Sequence, residues 1–399
     1  MSVRVLAITS ELPWPLNTGG HIRSFHLLRA IARRFDLRLI AGVDSPDDPG
    51  VAVLTDHGIA VAPAVNGQRR WAGEALRATR SALVGEPYVM FHRHNRSAMR
   101  QAIEQALHAA TPDVVYLDHL DPYAFRSLFP TIPLLIDFHN IYGRLASRVA
   151  AERRGPTATY IAHQARLLSR VEAKAAVDAR VVMAVSEQEV EEFRRFGANN
   201  VVLVPNGVDC ASYDHLPTGR AFDHPVLLYV GALSWHPNAA AADYLARTVL
   251  PDVRRTFPDA VLQLVGRDPN AATTALGALP GVEVHGNVPD VGPYLERASL
   301  LAVALDSGGG TRLKILEAFA AGLPVVSTPV GCEGINAQHA EHLWMVPHER
   351  FSAGIVAVLS DPIGASERAL RARRLAHERY DWSALSEDAC QAVEAAGRG

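Results

Sequence analysis

Short apolar segments alternate with amphipathic segments along most of the chain. Val3–Thr9 and Leu37–Val43 are apolar runs of strand length, and His21–Phe35 between them carries apolar residues at helical spacing. A buried strand, a helix and a second buried strand form a parallel βαβ unit, so the pattern predicts an α/β fold. Further strands are predicted at Val51–Leu54, Ile59–Pro63, Val114–Leu117, Leu134–Ile136, Arg180–Val185, Val201–Val204, Val226–Val230, Val261–Val265, Val282–His285, Leu300–Leu305 and Val325–Val326. Further helices are predicted at Arg69–Leu83, Asn95–His108, Ala158–Val177, Ala239–Val249 and Thr311–Ala321, and one begins after a Ser186–Glu189 capping box.

The alternation is interrupted once, between residues 210 and 225. This segment lacks apolar periodicity and contains Pro217, Gly219 and Pro225, which is typical of a linker. A chain of 399 residues is also long for a single core. We therefore predict a first domain at 1–209, a linker at 210–225, a second domain at 226–379 and a final helix at 380–399.

The stretch from Leu300 to Thr328 carries the clearest candidate chemistry. Three glycines, Gly308 to Gly310, separate a buried strand from a helix and let a ligand approach the backbone. Arg312 and Lys314 lie in the first helical turn, where the helix dipole disfavours cations, so an anion is expected beside them. Glu317 could accept hydrogen bonds from sugar hydroxyls. The alternative is a tight turn with solvated basic residues, and the segment matches neither the Walker nor the dinucleotide-binding pattern.

Polar residues follow several other predicted strands, where ligands bind in such sheets. In the first half, Gly19 and Gly20 precede a helix. They are either a ligand contact at the helix N-terminus or only a turn before the helix begins. His119 and His139 each follow a strand, so they are expected to meet at one edge. In the second half, Gly231, Gly266-Arg267 and Gly286-Asn287 follow three strands, and together they favour a nucleotide site.

Composition and charge narrow the classes of function. The net charge of −3 gives no support for nucleic-acid binding. The three cysteines have neither metal-ligand nor disulfide spacing, the N-terminus does not resemble a signal peptide, and no apolar run reaches spanning length. These features predict a cytoplasmic protein. Residues 69–100 are basic with interspersed aromatics, which favours a solvated face and leaves peripheral contact with the inner membrane face open.

Six segments together resemble the retaining GT-B glycosyltransferases of group 1 (GT4), over nearly the whole chain. They are Gly19-Gly20, Asp137-Phe138-His139, Val204-Pro205-Asn206-Gly207-Val208-Asp209, Tyr229-Val230-Gly231, Leu264-Val265-Gly266 and Gly310 to Val326. The last, with Gly-Thr-Arg-Leu-Lys and Leu-Glu-Ala-Phe-Ala-Ala-Gly-Leu-Pro, is the most specific.

The resemblance implies two Rossmann-like domains facing a central cleft, with the final helix crossing back to the N-terminal domain. It implies transfer of a hexose, with retention of configuration, from a nucleotide diphosphate sugar to a glycan, lipid-linked or small-molecule acceptor in glycoconjugate biosynthesis. His139, Arg312 and Lys314 would be catalytic. The nucleotide sugar would be bound by Gly19, Gly20, Gly231, Gly266, Arg267, Asn287, Val288, Gly309, Gly310, Thr311 and Glu317.

The sequence departs from the family pattern at two places. Gly309 stands where the family often has a first glutamate, eight positions before Glu317, and Ser234–Asn238 stands where basic residues are usual. Arg312 and Lys314 would then carry the charge role alone. No Asp-x-Asp motif is present, so neither a metal nor a cofactor is expected. The alternatives are a nucleotide-sugar 2-epimerase of the same architecture and a non-catalytic sugar-nucleotide-binding protein.

Overall fold

A computed structural model describes residues 3–66, 81, 85–88, 97–151, 153–217, 220–307 and 312–398. The chain forms two compact units. The first contains Met1–Asn206 and Leu385–Gly399, and the second contains Gly207–Ala384. Each unit is a parallel sheet with helices, so the predicted α/β class with two Rossmann-like domains is confirmed.

The sheet of the first unit has seven parallel strands in the order β3-β2-β1-β4-β5-β6-β7. They are β1 Arg4–Thr9, β2 Asp36–Val43, β3 Ala60–Val65, β4 Val114–Asp118, β5 Leu134–Asp137, β6 Val181–Ala184 and β7 Val201–Leu203. The order reverses between β1 and β4, whose residues Thr9 and Asp118 are register partners at the carboxyl ends. Such a reversal opens a crevice beyond the strand ends, and this is where doubly wound sheets bind ligands.

The helices of the first unit begin and end at residues suited to those positions. They are α1 Gly19–Arg34, α2 Pro49–Asp56, α3 Ser97–Ala109, α4 Tyr142–Ala151, α5 Pro156–Asp178 and α6 Glu187–Arg195, with a 3₁₀ segment at Asp121–Leu128. Thr18 caps α1 by accepting from the His21 amide at 3.2 Å. Ser186 caps α6 by accepting from the Glu189 amide at 3.3 Å, which confirms the predicted helix start.

The sheet of the second unit repeats the same topology with six parallel strands in the order β10-β9-β8-β11-β12-β13. They are β8 Val226–Val230, β9 Val261–Gly266, β10 Val282–Gly286, β11 Leu300–Val303, β12 Val325–Ser327 and β13 Trp344–Met345. The order reverses here between β8 and β11. A second crevice is therefore expected beyond the ends of these two strands.

The second unit packs its helices around a core that includes β8, β9 and β11. Its α-helical segments are α7 His236–Tyr244, α8 Leu250–Val253, α9 Ala271–Ala275, α10 Gly292–Arg297, α11 Leu313–Ala320, α12 Phe351–Leu359 and α13 Pro362–Arg379, followed by α14 Trp382–Gly397. Leu245–Val249 is a π-helical turn between α7 and α8, and 3₁₀ segments lie at Cys210–Tyr213, Leu276–Ala278 and His348–Arg350. The last part of α14 belongs to the first unit, where Arg34 pairs with Glu387 and Glu394.

Several predictions of local structure were wrong or incomplete, among them those of one strand, one helix and the linker. Val51–Leu54 is not a strand: it lies in α2, because Asp48 Oδ1 caps that helix by accepting from the Gly50 amide at 2.9 Å and Pro49 is its first residue. Helix α4 was not predicted. Residues 210–225 lie within the second unit rather than between the units, and Cys210, Leu216 and Phe222 are buried in its core.

Two other predictions concern residues that the structure describes only in part. Of the predicted helix at Arg69–Leu83, only Ser81 is described, and the basic residues 93–96 lie outside the described part. No helix within the described ranges has both the length and the apolarity required to cross a membrane.

Candidate functional site

A cavity of about 530 Å³ lies at the strand reversal of the first unit. Its polar wall comes from the carboxyl ends of β1, β4 and β5 and from the start of α1. Thr9, Asp118 and His139 follow or end these three strands, and Gly20 lies in the first turn of α1. The predicted edge of the sheet is thus the place where the candidate side chains of the first half meet.

A buried ion pair between Arg23 and Asp137 lies beneath the polar wall of the cavity. Arg23 in α1 is fully buried and donates from Nε to Asp137 Oδ2 at 2.9 Å and from Nη2 to Oδ1. Its Nη1 donates to the Val204 carbonyl at 2.7 Å. Burial would raise the pKa of Asp137, but the Arg23 guanidinium outweighs this and holds that pKa well below its usual range. Asp137 is therefore a carboxylate at any physiological pH, and Tyr116 Oη also donates to it at 2.9 Å.

His139 stands directly in front of this pair. Its Nε2 lies 2.9 Å from Asp118 Oδ1 and 3.6 Å from Asp137 Oδ2. Burial would lower the pKa of His139, but the adjacent carboxylates outweigh it and raise the pKa to about 9. The imidazole is therefore a cation at neutral pH. A Cβ on Gly20 would lie 3.5 Å from its Nδ1, so the helix start closely approaches the ring.

His119 and Tyr142 continue the polar wall as stacked rings. His119 has a left-handed backbone with φ of 78°, which is uncommon for a residue with a side chain and marks local strain. Its ring stacks on Tyr142 at 4.2 Å and lies 4.8 Å from the His139 ring. The expected meeting of His119 and His139 is therefore found.

Asp118, Asp137 and His139 also have the composition of a metal site. One ligand atom from each lies within 4.8 Å of the others. However, Arg23 already neutralises Asp137, and a protonated His139 occupies the position between the two carboxylates. A divalent cation there would have to displace that proton and would face the nearby guanidinium. The geometry therefore favours the His139 imidazolium over a divalent cation as the positive charge beside Asp118 and Asp137.

One carboxyl that lines the cavity, that of Asp121, titrates near neutral pH. Burial raises the pKa of Asp121 to about 7, against the opposing effect of hydrogen bonds from its own backbone and from Ser10. Asp121 begins the 3₁₀ segment two residues after His119. The cavity thus combines an imidazolium with a carboxyl that can exchange a proton near pH 7, and the buried Asp137 carboxylate lies 3.6 Å from the imidazolium.

In the second unit, close backbone approaches mark the carboxyl ends of β8, β9 and β10. The Gly231 amide donates to the Val265 carbonyl at 3.0 Å, and the Asn287 amide donates to the Gly266 carbonyl at 2.7 Å. A Cβ on Gly266 would lie 1.7 Å from the Gly231 carbonyl oxygen, so only glycine fits there. The Arg267 carbonyl accepts from the Leu233 amide at 2.8 Å. The predicted residues Gly231, Gly266, Arg267 and Asn287 are therefore neighbours.

Lys314 projects from the first turn of α11 toward the end of β8. Its Nζ lies 3.2 Å from Asn238 Oδ1 and 4.4 Å from the centroid of the Tyr229 ring. A Cβ on Gly231 would lie 2.9 Å from Nζ and 2.7 Å from Asn238 Nδ2, so the glycine leaves the ammonium open on that side. Burial, together with the Arg312 charge, lowers the pKa of Lys314 to about 7.

Glu317 and Arg312 complete this group on α11 and its N-cap. Burial raises the pKa of Glu317 to about 7, while Lys314 opposes the shift. Arg312 is 4% exposed and donates from Nη2 to the Val330 carbonyl at 3.0 Å. Within the described ranges, no carboxylate lies within ion-pair distance of the Lys314 ammonium. A partly buried cation with an amide oxygen and an aromatic face as its neighbours is a suitable partner for an anion.

The remaining predicted residues have the following places. Gly19 is the first residue of α1, and Val288 packs against the core of the second unit. Gly309, Gly310 and Thr311 lie outside the described residues.

Sequence reasoning missed four contacting residues, namely Arg23, Tyr116, Tyr229 and Asn238. Arg23 was hidden because it is one arginine among many in an amphipathic helix. Asn238 gave a weak signal by following a strand-end glycine.

The fold is similar to that of several solved structures. The Anabaena HepE protein, solved in complex with UDP and glucose, is 16% identical with a TM-score of 0.66, covering 98% of this chain and 99% of that chain. Sucrose-phosphate synthase from Thermosynechococcus elongatus is 18% identical with a TM-score of 0.68, covering 98% of both chains. A glycosyltransferase from Rickettsia africae is 14% identical with a TM-score of 0.68, again covering 98% of both. These likenesses identify the fold as GT-B.

The amino-acid sequence places the chain within a family. Residues 17–212 match Glycosyltransferase Family 4, and residues 224–361 match Glycosyl transferases group 1. Glycogen synthase from Mycobacterium tuberculosis is 27% identical over 233 residues, or 54% of this chain. The chain spans about half the length of that relative, 53%. Together the two family matches span most of the chain, which belongs to the group 1, or family 4, glycosyltransferases.

Proposed function

We propose that this protein transfers a hexose from a nucleotide diphosphate sugar to an acceptor hydroxyl, with retention of configuration. One observation carries the proposal: the Lys314 ammonium lies at the strand reversal of the second unit, beside Gly231, without a carboxylate partner among the described residues. A diphosphate supplies the missing negative charge. HepE has been solved with UDP-glucose, which supports a sugar nucleotide as the donor.

Lys314 would act on the leaving group. Breaking the glycosidic bond to a diphosphate places developing negative charge on the leaving phosphate, and a positioned cation stabilises that charge in the transition state. Arg312 adds positive potential to the same region, since its charge is strong enough to help lower the pKa of Lys314. Glu317 would accept hydrogen bonds from the ribose hydroxyls. Gly19, Gly20, Gly309, Gly310 and Thr311 remain proposed contacts of the donor.

The first unit would bind the acceptor and contact the transferred sugar through His139. As an imidazolium, His139 can donate a hydrogen bond to a sugar hydroxyl but cannot serve as a base at neutral pH. In the proposed retaining reaction, the acceptor hydroxyl attacks from the face that the diphosphate leaves. A phosphate oxygen takes the hydroxyl proton as the new glycosidic bond forms, so the step needs positioning and charge rather than a protein nucleophile.

The proposed reaction uses neither a metal nor a cofactor, because Lys314 and Arg312 provide the positive charge. We place the reaction in the cytoplasm, in the biosynthesis of a glycoconjugate.

The test begins with ligand binding. The melting temperature of the full chain is measured with UDP, GDP, ADP and inorganic phosphate, each with and without EDTA. A ligand that binds only the folded protein raises the melting temperature by mass action. The expected result is a shift with one nucleoside diphosphate that EDTA does not change. The absence of any shift would overturn the donor site, and loss of the shift in EDTA would overturn metal independence.

The second stage measures turnover with the sugar nucleotide whose diphosphate binds. Release of the diphosphate should require an acceptor and should fall at least 100-fold in both Lys314→Met and Glu317→Ala. The anomeric configuration of the product, read by NMR, should match that of the donor. Conversion of the donor without any acceptor would indicate a 2-epimerase instead. Binding without any turnover would indicate a non-catalytic sugar-nucleotide-binding protein.

A further inference from the structure

The cavity of the first unit has two chemically different halves. The polar half contains Asp118, His119 and His139 at the strand ends. The other half is lined mainly by apolar residues of α4 and α5, with one buried polar residue, Gln164, whose Oε1 accepts from the Tyr88 amide at 2.9 Å. On α4, Leu145, Ala146 and Val149 have the spacing of one helix face, and on α5, Ile161 and Leu168 do so as well.

Two observations show that this apolar half opens to the surface. Val149 is 36% exposed and Tyr160 is 47% exposed, although both line the cavity. At the other end the two helices touch, since a Cβ on Gly143 would lie 2.1 Å from Ser169 Oγ. Glu172 in α5 also accepts hydrogen bonds from the backbone amides of Tyr142 and Gly143. The apolar half therefore forms a channel between α4 and α5 that opens at a rim formed by Val149 and Tyr160.

The charges around the cavity restrict what can enter it. Neither lysine nor arginine is among its described lining residues, whereas Glu11, Asp118 and Asp121 are. A phosphorylated ligand would meet these carboxylates, and the His139 imidazolium is already paired with Asp118 and Asp137. A wholly polar glycan would leave hydroxyls unpaired against the apolar half, and an unpaired buried hydroxyl is costly.

We propose that the first unit binds a neutral amphiphile, with a hydroxylated head at His139 and Asp118 and an alkyl chain between α4 and α5. The acceptor is then a molecule such as a neutral glycolipid rather than a polysaccharide or a sugar phosphate. The role of this molecule as the acceptor rests on the proposed function, whereas its binding to the first unit does not. Ala146 lines the channel, so the alkyl chain of the ligand would lie along the side of α4 that carries Val149 and would leave at the rim.

The experiment measures binding of alkyl glucosides to the full chain by calorimetry, without any donor and below the micelle concentration. The probes are methyl, butyl, octyl and phenyl β-D-glucoside, with octyl sulfate as an anionic amphiphile. Each methylene buried should tighten binding about fourfold, from the transfer free energy of a methylene group. Octyl glucoside should therefore bind at least tenfold more tightly than methyl glucoside and than octyl sulfate.

Matched variants locate the binding. Ala146→Phe fills the channel and should weaken octyl glucoside binding at least tenfold. Ala162→Phe makes the same change on the exposed side of α5, outside the cavity, and should leave binding unchanged. If Ala146→Phe does not fold, Val149→Asp places a charge at the exposed rim and should weaken the octyl probe alone.

Several outcomes would overturn the inference. They are equal binding of methyl and octyl glucoside, equal losses in Ala146→Phe and Ala162→Phe, and phenyl glucoside binding as tightly as octyl glucoside, which would indicate an aryl group. Nucleoside diphosphate binding should be the same in wild type and Ala146→Phe. A failure of donor binding in wild type would thus count against the proposed function, while the dependence on chain length would still be measured.

Discussion

The binding of a nucleoside diphosphate should weaken steeply as the pH rises from 7 to 9, because Lys314 must carry its proton. In the free protein the pKa of Lys314 is about 7. A bound diphosphate favours the charged form and should return the pKa to the ordinary range of about 10. The sign follows directly: affinity is greatest where the free protein already holds the proton, below pH 7, and is lost as the pH rises.

The magnitude follows from the fraction of protein that is competent to bind. With a pKa of about 7, roughly one tenth of the free protein carries the ammonium at pH 8 and roughly one hundredth at pH 9, and apparent affinity scales with that fraction. The expected loss is therefore about tenfold at pH 8 and about 100-fold at pH 9. Glu317, whose pKa is also raised to about 7, gains negative charge over the same range and acts in the same direction. Arg312 stays charged throughout.

Calorimetry at pH 6.5, 8 and 9, in buffers of different ionisation enthalpy, measures both the affinity and the protons taken up. Lys314→Arg is the matched control, since a guanidinium keeps its charge across this range and should leave only the shallower dependence that Glu317 causes. The same comparison removes the effect of the terminal phosphate of the nucleotide, which itself ionises near pH 6. An equally steep profile in Lys314→Arg, or a wild-type affinity that does not change between pH 6.5 and 9, would refute the reasoning.

Three further predictions test the packing around the two sites. Gly231→Ala should reduce nucleoside diphosphate binding at least tenfold, because its Cβ would lie 2.9 Å from the ammonium; Gly277→Ala, whose nearest neighbour would be at an ordinary 3.5 Å, should not change it in the same titration. Arg23→Met should destabilise the first unit by about 3–5 kcal/mol in urea denaturation, since it removes the guanidinium that pairs with the buried Asp137 carboxylate; a loss below 1 kcal/mol would contradict this. Wild type should be more stable than His139→Gln, with the full advantage below pH 6.5 and none once the pH has risen through about 9, because the folded-state pKa of His139 is raised. The melting temperatures of both proteins are measured at pH 6 and 9.5, and an equal gap between the two proteins at both pH values would contradict this.

Much of the fold was predictable because parallel strands buried on both faces are continuous apolar runs. Val226–Val230 was predicted with the bounds it has in the structure, and Leu300–Val303 was overextended by two residues. Helix α4 was missed since its apolar face is short: of its ten residues only Gly143 is buried, and Tyr142 and Ala146 are only partly buried against the core. Val51–Leu54 was misassigned because four apolar residues fit either element, and the deciding signal was the Asp48-Pro49 helix start.

The candidate site was predictable where it depends on glycines at strand ends. Gly231 and Gly266 were identified in this way, and the sheet brings them together. The partners of Lys314 and Asp137 were not predictable, because they come from distant parts of the chain. Asn238 is 76 positions away from Lys314, and Arg23 is 114 positions away from Asp137. A sequence gives the spacing within one element but not which faces of two elements will meet.

The lowered pKa of Lys314 also has a consequence for chemical reactivity. The chain contains only two lysines, and Lys174 lies exposed on α5. An amine reacts with acylating reagents only in its unprotonated form, and at pH 7 about half of the Lys314 side chains are in that form. A limiting dose of a small acylating reagent at neutral pH should therefore modify Lys314 ahead of Lys174, and a diphosphate that restores its proton should protect it. Mass spectrometry of the labelled chain would thus report occupancy of the anion site without any knowledge of the sugar or the acceptor.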